Sequence, residues 1–355
     1  MRDGNAMNDA LRTRLAALPK IELHRHFEGA LRLSSLAEIV RTCRLDLPTE
    51  PEALRPYVQM TPETPRTMTH FLAKFAVLRQ FYQSAEIIQR LAYEVVEDAA
   101  ADNIRYLELR FTPKALTQAS RLSFRDVIAC MCHGAAQAQR QNDILVRLIV
   151  SLNRHESAQE SAQAVYAALD QRACGIVAID LGGQEAGFSA APFRDLFAEA
   201  RQAGLGVTAH AGEWSGAENI RYAIEQLGAV RIGHGVRILD DPSLVALARE
   251  RAITFEICPT SNLCSGVVSS LAEHPLRQMH QLGLRVTLNT DDPLLCNCTL
   301  SDEFYNACTA LGCALPELRL MTLRAAEAAF LPPEERAALA AHALAAYDAL
   351  LHRSA

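Results

Sequence analysis

Short runs of apolar and β-branched residues alternate along this chain with longer stretches in which apolar side chains recur at helical spacing. Eight of the short runs predict strands: Ile21 to His24, Ile104 to Phe111, Ile144 to Leu152, Gly175 to Leu181, Gly206 to Ala209, Arg231 to Gly233, Thr254 to Ile257 and Arg285 to Leu288. Between them, stretches such as Pro192 to Ala203 and Pro242 to Arg251 predict amphipathic helices. Strands alternating with helices imply a parallel sheet, and eight repeats imply an α/β fold of the TIM-type (β/α)8 barrel class. The interval between the first two strands is too long for a simple crossover, so a helical insertion is expected over about 44–100. It contains Phe71-Leu72-Ala73-Lys74-Phe75 and a helix-like stretch from Ala85 to Ala100. Such an insertion can form a lid that excludes water from the open mouth of a barrel; its aromatic residues can equally form a core of their own. Past Pro332-Pro333 an Ala-rich segment, 333–352, predicts a terminal helix packed on the barrel. No linker, repeat or low-complexity segment divides the chain, and one domain over 1–355 is expected.

Ionisable residues gather at the C-terminal ends of these strands. Ile21-Glu22-Leu23-His24-Arg25-His26 ends in two histidines one residue apart, and alternate side chains of a strand share a face, so both imidazoles can point at one ion. A lone His-x-His is equally well explained as two surface histidines. Three further runs follow the same plan: His210-Ala211-Gly212-Glu213, then Gly233-His234-Gly235, then Thr290-Asp291-Asp292-Pro293. Barrel enzymes take their catalytic groups from the C-terminal ends of several strands, and all these residues fall there. His24, His26, His210 and Asp291 are therefore candidate ligands of a single metal ion. Three imidazoles and a carboxylate suit zinc, and iron, cobalt or manganese would also accept them. A divalent ion can lower the pKa of bound water from about 15.7 to about 7. Glu213, just beyond a ligand, can then protonate a ring nitrogen. His234, between glycines, can hold or deprotonate the attacking water. Asp292 would face substrate while its neighbour Asp291 faces metal.

Composition narrows the class. The chain has 355 residues, 50% hydrophobic and 21% charged, which suits a globular enzyme with a large core. A net charge of -6 and the lack of any Lys/Arg run argue against nucleic acid as a partner. Met1 to Lys20 has no apolar segment of the signal-peptide kind, and no run approaches the roughly 18 to 20 apolar residues of a membrane span. A cytoplasmic protein is expected. Ten cysteines are scattered without repeated spacing, which reads as reduced, mostly buried thiols.

At these motifs the sequence resembles the adenosine deaminase family of purine deaminases, within the wider metal-dependent amidohydrolases, from about Pro19 to about Ala329. His24-Arg25-His26, His210-Ala211-Gly212-Glu213, Gly233-His234-Gly235, Cys258-Pro259-Thr260-Ser261-Asn262 and Thr290-Asp291-Asp292-Pro293 occur in the family's order. The resemblance implies one zinc per chain on His24, His26, His210 and Asp291, Glu213 as proton donor to purine N1, and His234 as the group orienting water. It further implies Asp292 as partner of N7, a backbone N–H of Gly183 toward N3, and Phe71, Leu72 and Phe75 as a lid lining. The implied reaction is hydrolytic deamination at C6 of adenosine or a related adenine nucleoside. The His-x-Glu and Pro-Cys-x-x-Cys signature of the cytidine deaminase design is missing. Two departures stand out. Glu28 occupies a position near the ribose 5′ end where many adenosine-specific members carry Asp; Glu also occurs in members acting on adenine or on 5′-modified nucleosides such as aminodeoxyfutalosine or methylthioadenosine. Trp214 either stacks on substrate or covers the rim. A binuclear amidohydrolase is a more remote reading, since Gly175 to Gly183 holds no bridging lysine.

Overall fold

Eight parallel strands lie side by side in chain order: Lys20–His26 (β1), Ile104–Phe111 (β2), Leu145–Asn153 (β3), Ile176–Gly182 (β4), Gly206–Ala211 (β5), Arg231–His234 (β6), Thr254–Ile257 (β7) and Arg285–Leu288 (β8). The structure is a computed structural model that describes residues 2–352. Past β8 the chain returns to β1. Asp291 forms a parallel bridge with Arg25; its N–H donates to the His24 carbonyl at 2.9 Å, and the His26 N–H donates to the Asp291 carbonyl at 2.8 Å. These two bonds bring the ends of the sheet together, and the (β/α)8 barrel expected from the alternating pattern is the fold. Several strands run one or two residues further than hydropathy alone suggests. The reason is that polar residues at their ends still pair, as Ala211 does with His234 and His26 with Arg110.

Side chains that meet across the barrel are charged. Arg231 on β6 donates to Glu108 on β2 at 2.5 Å and lies 2.6 Å from Glu256 on β7. Arg110 on β2 reaches Glu256 at 2.7 Å and Asp180 on β4 at 3.2 Å. All five are fully buried, Arg231 at 1% and the others at 0% exposure, so none of these charges is left to water. Branched apolar side chains, the usual filling of such barrels, lie instead between the strands and the surrounding helices, as Leu107, Ile179, Val207 and Phe255 do.

Between β1 and β2 the chain forms helices Leu33–Cys43, Pro51–Val58, Met68–Leu78 and Ala85–Ala101, with a single turn Arg79–Phe81 before the last. Ala85–Ala101 packs on β2 and on the helix Phe124–Gln141, so it belongs with the ring of crossover helices. Its buried stripe of Ile88, Leu91, Val95 and Val96 explains this placement. The helices that precede it start at Leu33, ahead of the expected insertion. Thr67 caps Met68–Leu78 by accepting from the His70 N–H, and that helix borders the C-terminal mouth of the barrel. The helix Pro333–His352 packs on Leu315–Ala328, with Arg319 paired to Asp348 at 2.7 Å and the Thr322 and Tyr347 hydroxyls 2.9 Å apart. An N-terminal helix, Arg2–Ala16, has no counterpart among the expected elements. Among the described residues no helix is long and apolar enough to cross a membrane.

Removing one member of a buried ion network leaves its partners charged and unsolvated. Arg231→Ala is expected to lower the unfolding free energy by about 3–5 kcal/mol, seen as a lower urea midpoint with an unchanged slope. An unchanged midpoint would show that the network adds nothing to stability.

Candidate active site

Four ligand-type atoms converge where β1, β5 and β8 end. His26 Nε2 and His210 Nε2 are 3.1 Å apart, and Asp291 Oδ1 lies 3.1 Å from His24 Nε2 and 3.3 Å from His26 Nε2. The four donor atoms all fall within 4.8 Å of one another. His24 Nε2 and Asp291 Oδ1 are buried, yet neither has a hydrogen-bond partner among the described residues. Buried polar atoms left open in this way cost free energy unless something satisfies them, and three imidazole nitrogens with one carboxylate oxygen fit a divalent cation. The chain can therefore hold a divalent metal here. A second, overlapping group swaps His26 and His210 for His234 and Cys258. It suits a cation less well, because burial and the nearby Asp291 carboxylate push the Cys258 thiol well above its usual range, while the thiol donates to the Glu256 carbonyl.

The outer nitrogens of two of these imidazoles are held from behind. His24 Nδ1 lies 2.7 Å from Glu256 Oε2, and His210 Nδ1 lies 3.1 Å from Asp180 Oδ1. Carboxylates in this position set the tautomer and ring orientation of a ligand histidine. Burial alone would raise the Glu256 carboxyl, but the Arg110 and Arg231 guanidinium groups overcome it and keep Glu256 ionised. Asp291 itself sits in the left-handed region at φ 64°, a strained conformation that Asp tolerates better than most residues. The bridge to β1 holds it there, and the Ser261 hydroxyl donates to its second oxygen at 2.6 Å.

His234, also at positive φ (60°), has its proton placed by a chain of hydrogen bonds. The Leu276 N–H, which can only donate, meets His274 Nδ1 at 3.1 Å, so the His274 proton sits on Nε2. His274 Nε2 is 3.1 Å from Asn262 Oδ1, and Asn262 Nδ2 is 3.2 Å from His234 Nδ1. With the Asn262 amide oriented by this chain, His234 Nδ1 accepts and its Nε2 carries the hydrogen. That N–H faces the cluster, 3.6 Å from Glu213 and 3.9 Å from Asp291. Burial lowers the pKa of both rings, that of His274 to about 3, so both are neutral.

A cavity of about 250 Å³ opens beside the cluster. His26, His210, Glu213, His234, Asp291 and Asp292 line its floor, and Phe71, Leu72 and Phe75 border it from the helix Met68–Leu78. Glu28, Gly183 and Trp214 also line it. Every residue singled out from the sequence is thus at one pocket, His24 behind its wall at the cluster. Asp292 can turn into it only because residue 29 is glycine, where a Cβ would come within 1.8 Å of Asp292 Oδ1. Burial first, and the neighbouring carboxylates second, raise the Glu213 and Asp292 carboxyls well above their usual range. Glu28 is raised to about 7 by burial, against the Thr112 N–H that donates to it at 2.7 Å.

Sequence reasoning missed the residues that act at one remove. Glu185 is buried and accepts from the Gly212, Glu213, Trp214 and Ser215 backbone N–H groups and from the Asn219 amide, at 2.6 to 3.2 Å. Its position in Gly183-Gln184-Glu185 gave no pattern to read. Glu256, Arg110 and His274 were missed for the same reason. The only available signal was a charged residue inside a β-type run, as in Thr254-Phe255-Glu256-Ile257.

The closed barrel with a buried nitrogen and oxygen cluster at its C-terminal mouth defines a metal-dependent (β/α)8 hydrolase. A family model described as adenosine deaminase matches residues 19–345, and the chain belongs to that family of hydrolytic deaminases. An adenosine deaminase of Klebsiella pneumoniae is 38% identical over 325 residues, 91% of this chain and 97% of that one. Among solved structures, an amidohydrolase from Burkholderia ambifaria with bound Zn superposes with a TM-score of 0.88 at 28% identity, covering 96% of this chain and 94% of that one. An adenine deaminase from Arthrobacter aurescens gives a TM-score of 0.83 at 27% identity, covering 95% of this chain and all of that one.

The two supporting systems should separate experimentally. Glu256→Gln removes a carboxylate behind His24 and is expected to weaken metal affinity about 10–100-fold, read by competition with a chromogenic chelator. His274→Phe cuts the chain that sets the His234 proton. It should keep full metal content while turnover falls by about tenfold or more; unchanged turnover would show that His234 does not depend on the chain.

Proposed function

We propose that this chain, loaded with one zinc ion on His24, His26, His210 and Asp291, hydrolyses the C6 amino group of an adenine ring carried on a nucleoside with a modified ribose 5′ end. The observation that carries this reading is the division of the pocket carboxyls into two kinds. Purine N1 and N7 are both acceptors, so their partners must carry protons. Glu213 and Asp292, both raised by burial first and by the Asp291 carboxylate second, meet that need. Asp291 is the opposite case: burial works against its ionisation, yet the close approach of His24 and the imidazoles around it hold it well below the usual range. Such separation of neighbouring carboxyls assigns acid and ligand roles.

The bound metal supplies a water of lowered pKa as nucleophile at neutral pH. Glu213 delivers its proton to N1 and draws electron density away from C6. The neutral His234 donates its Nε2 hydrogen to the attacking oxygen, which orients it; with that nitrogen protonated, His234 is not the base. Asp292 donates to N7, and the Gly183 backbone faces N3. The C6 hydroxyl then gives up its proton, the amino group takes one up and the C–N bond breaks, so that ammonia leaves, the C6 oxygen becomes the carbonyl and N1 keeps its hydrogen. Phe71, Leu72 and Phe75 cover the ring and exclude water, and Trp214, whose indole N–H is buried without a partner, lines the same wall. The Burkholderia structure with bound Zn and the nitrogen-rich donor set support zinc. The 5′ preference rests on Glu28. One of its oxygens is tied to the Thr112 N–H and the other has no partner among the described residues, where a ribose hydroxyl or its replacement would sit. Free adenine is a second reading, favoured by the likeness to the Arthrobacter adenine deaminase. Ten cysteines without a disulfide fit a reducing compartment such as the cytoplasm.

Glu213→Gln is expected to keep metal and bind purine but lose about 10²–10⁴-fold in kcat. In the wild type, kcat/KM should fall as pH rises through the raised Glu213 pKa, since the acid must be protonated to act. A variant with more than a tenth of wild-type turnover would remove Glu213 from this role.

Ammonia release across adenine, adenosine and 5′-deoxy, 5′-thio and 5′-charged adenosines tests the substrate. The 5′-modified compounds are expected to lead in kcat/KM, and Glu28→Asp to move the preference toward adenosine. Adenine leading by tenfold or more would favour the second reading instead.

A further inference from the structure

The pocket contains a cation that deamination at C6 leaves without a role. Arg79 opens the turn after the helix Met68–Leu78 and lines the same cavity as Glu28, Asn153 and His155. Its Nε is buried and has no hydrogen-bond partner among the described residues. Other cations nearby are engaged: Lys74 donates to the Pro56 carbonyl at 2.6 Å, and Lys114 is paired with Glu160. Glu28 is the carboxylate within electrostatic reach of Arg79. One Glu28 oxygen is committed to Thr112, however, and the other, like Arg79 Nε, has no hydrogen-bond partner among the described residues. A guanidinium edge held against a cavity without a partner carries an unmet desolvation cost.

A second donor points the same way. His155 Nδ1 accepts the Gln184 N–H at 3.3 Å, so its hydrogen is on Nε2 and that nitrogen donates. The His155 ring packs edge-on against Phe188, which is 40% exposed. Asn153 is buried beside it, its amide tied to Glu156. A Cβ on Gly183 would come within 2.8 Å of His155 Nδ1, so His155 lies beside the group assigned to N3. N3 and the ribose-bearing N9 are bonded to the same ring carbon, so this is the ribose side of the pocket, with Arg79 in electrostatic reach of both His155 and Glu28. Plain adenosine has only a neutral hydroxyl to offer there.

We infer that Arg79 and His155 form a subsite for an oxyanion, a phosphate or a carboxylate, carried at the 5′ position of the substrate. The inference rests on the proposed adenine-nucleoside chemistry and adds to it the charge of the substituent. Arg79 matches such a group because its planar fork can give two parallel hydrogen bonds to oxygens of one anion. Glu28 then takes a ribose hydroxyl, and the anion lies beyond it on the guanidinium.

The test compares adenosine, 5′-deoxyadenosine, adenosine 5′-monophosphate and adenosine 5′-carboxylate on the metal-loaded wild type, Arg79→Met and Arg79→Lys. Two readouts are taken: kcat/KM by ammonia release, and binding by fluorescence of Trp214, the sole tryptophan, which lines the pocket. At least one anionic compound is expected to exceed adenosine in kcat/KM and affinity by about ten- to hundredfold, with the advantage shrinking as salt rises. Arg79→Met should abolish that ratio, chiefly through KM because the contact is remote from C6. Arg79→Lys, a point charge without the fork, should keep part of it. The better of the two anions identifies the source of the charge. Anionic compounds that bind no more tightly than adenosine to the wild type would overturn the subsite, as would a ratio unchanged in Arg79→Met. If no adenine compound releases ammonia, the deaminase reading fails, and the fluorescence ratios still decide the subsite separately.

Discussion

The active site depends on one buried guanidinium. Arg110 lies at the centre of the barrel, 2.7 Å from Glu256 and 3.2 Å from Asp180, and each of those carboxylates holds the outer nitrogen of a candidate ligand histidine. Two carboxylates sealed from water would otherwise repel each other and take up protons. A protonated carboxyl could still contact an imidazole, but it would no longer favour the tautomer that turns Nε2 toward a metal. Arg110 helps keep both ionised, joined by Arg231 at Glu256 and by the His210 imidazole at Asp180, and Arg231 also pairs with Glu108 at 2.5 Å. Stability and ligand geometry are thus carried by the same charges. That coupling explains why this barrel places ions where such folds usually place branched apolar residues.

Above this charged layer, the pocket sorts its carboxyls by surroundings. Asp291 is neighbour to Asp292 in the chain, yet the first is held ionised among imidazoles and the second is pushed toward its protonated form. Positive φ at Asp291 makes this possible, because it turns one side chain to the cluster while the next passes over Gly29 into the cavity. A metal bound near Asp291 would offset part of the charge that raises Glu213 and Asp292, leaving burial as the main cause. Closing the barrel through Asp291 therefore serves topology and chemistry at once: the bridge to Arg25 supplies the constraint that the strained backbone needs.

Eight strand positions, the helical tail and the cluster of metal-type donors were legible in the chain because each is a local or periodic signal. A β-type run ending in His-x-His places two imidazoles on one face wherever the strand lies, and four such endings make sense only if the strands share an end. The helical segment before β2 was also visible, although its last helix proved part of the ring, since a stripe such as Ile88, Leu91 and Val95 says that a helix is buried but not against what.

Everything that depends on side chains meeting across the barrel was decided by tertiary structure. Glu256 and Arg110 are 146 positions apart in the chain, and no spacing rule connects them. The chain from Leu276 through His274 and Asn262 to His234 is of the same kind, as is the hold of Glu185 on the loop that presents Glu213. Nothing in the sequence around Arg79 marks it out; only the fold places it at the cavity with its Nε unpartnered among the described residues. By itself, then, the sequence determined the barrel and the atoms able to bind metal, because hydrophobic periodicity and strand parity are properties of short segments. Which proton each site residue carries, and which charges stand unmatched, were settled only by folding, because burial and distance between remote segments set them.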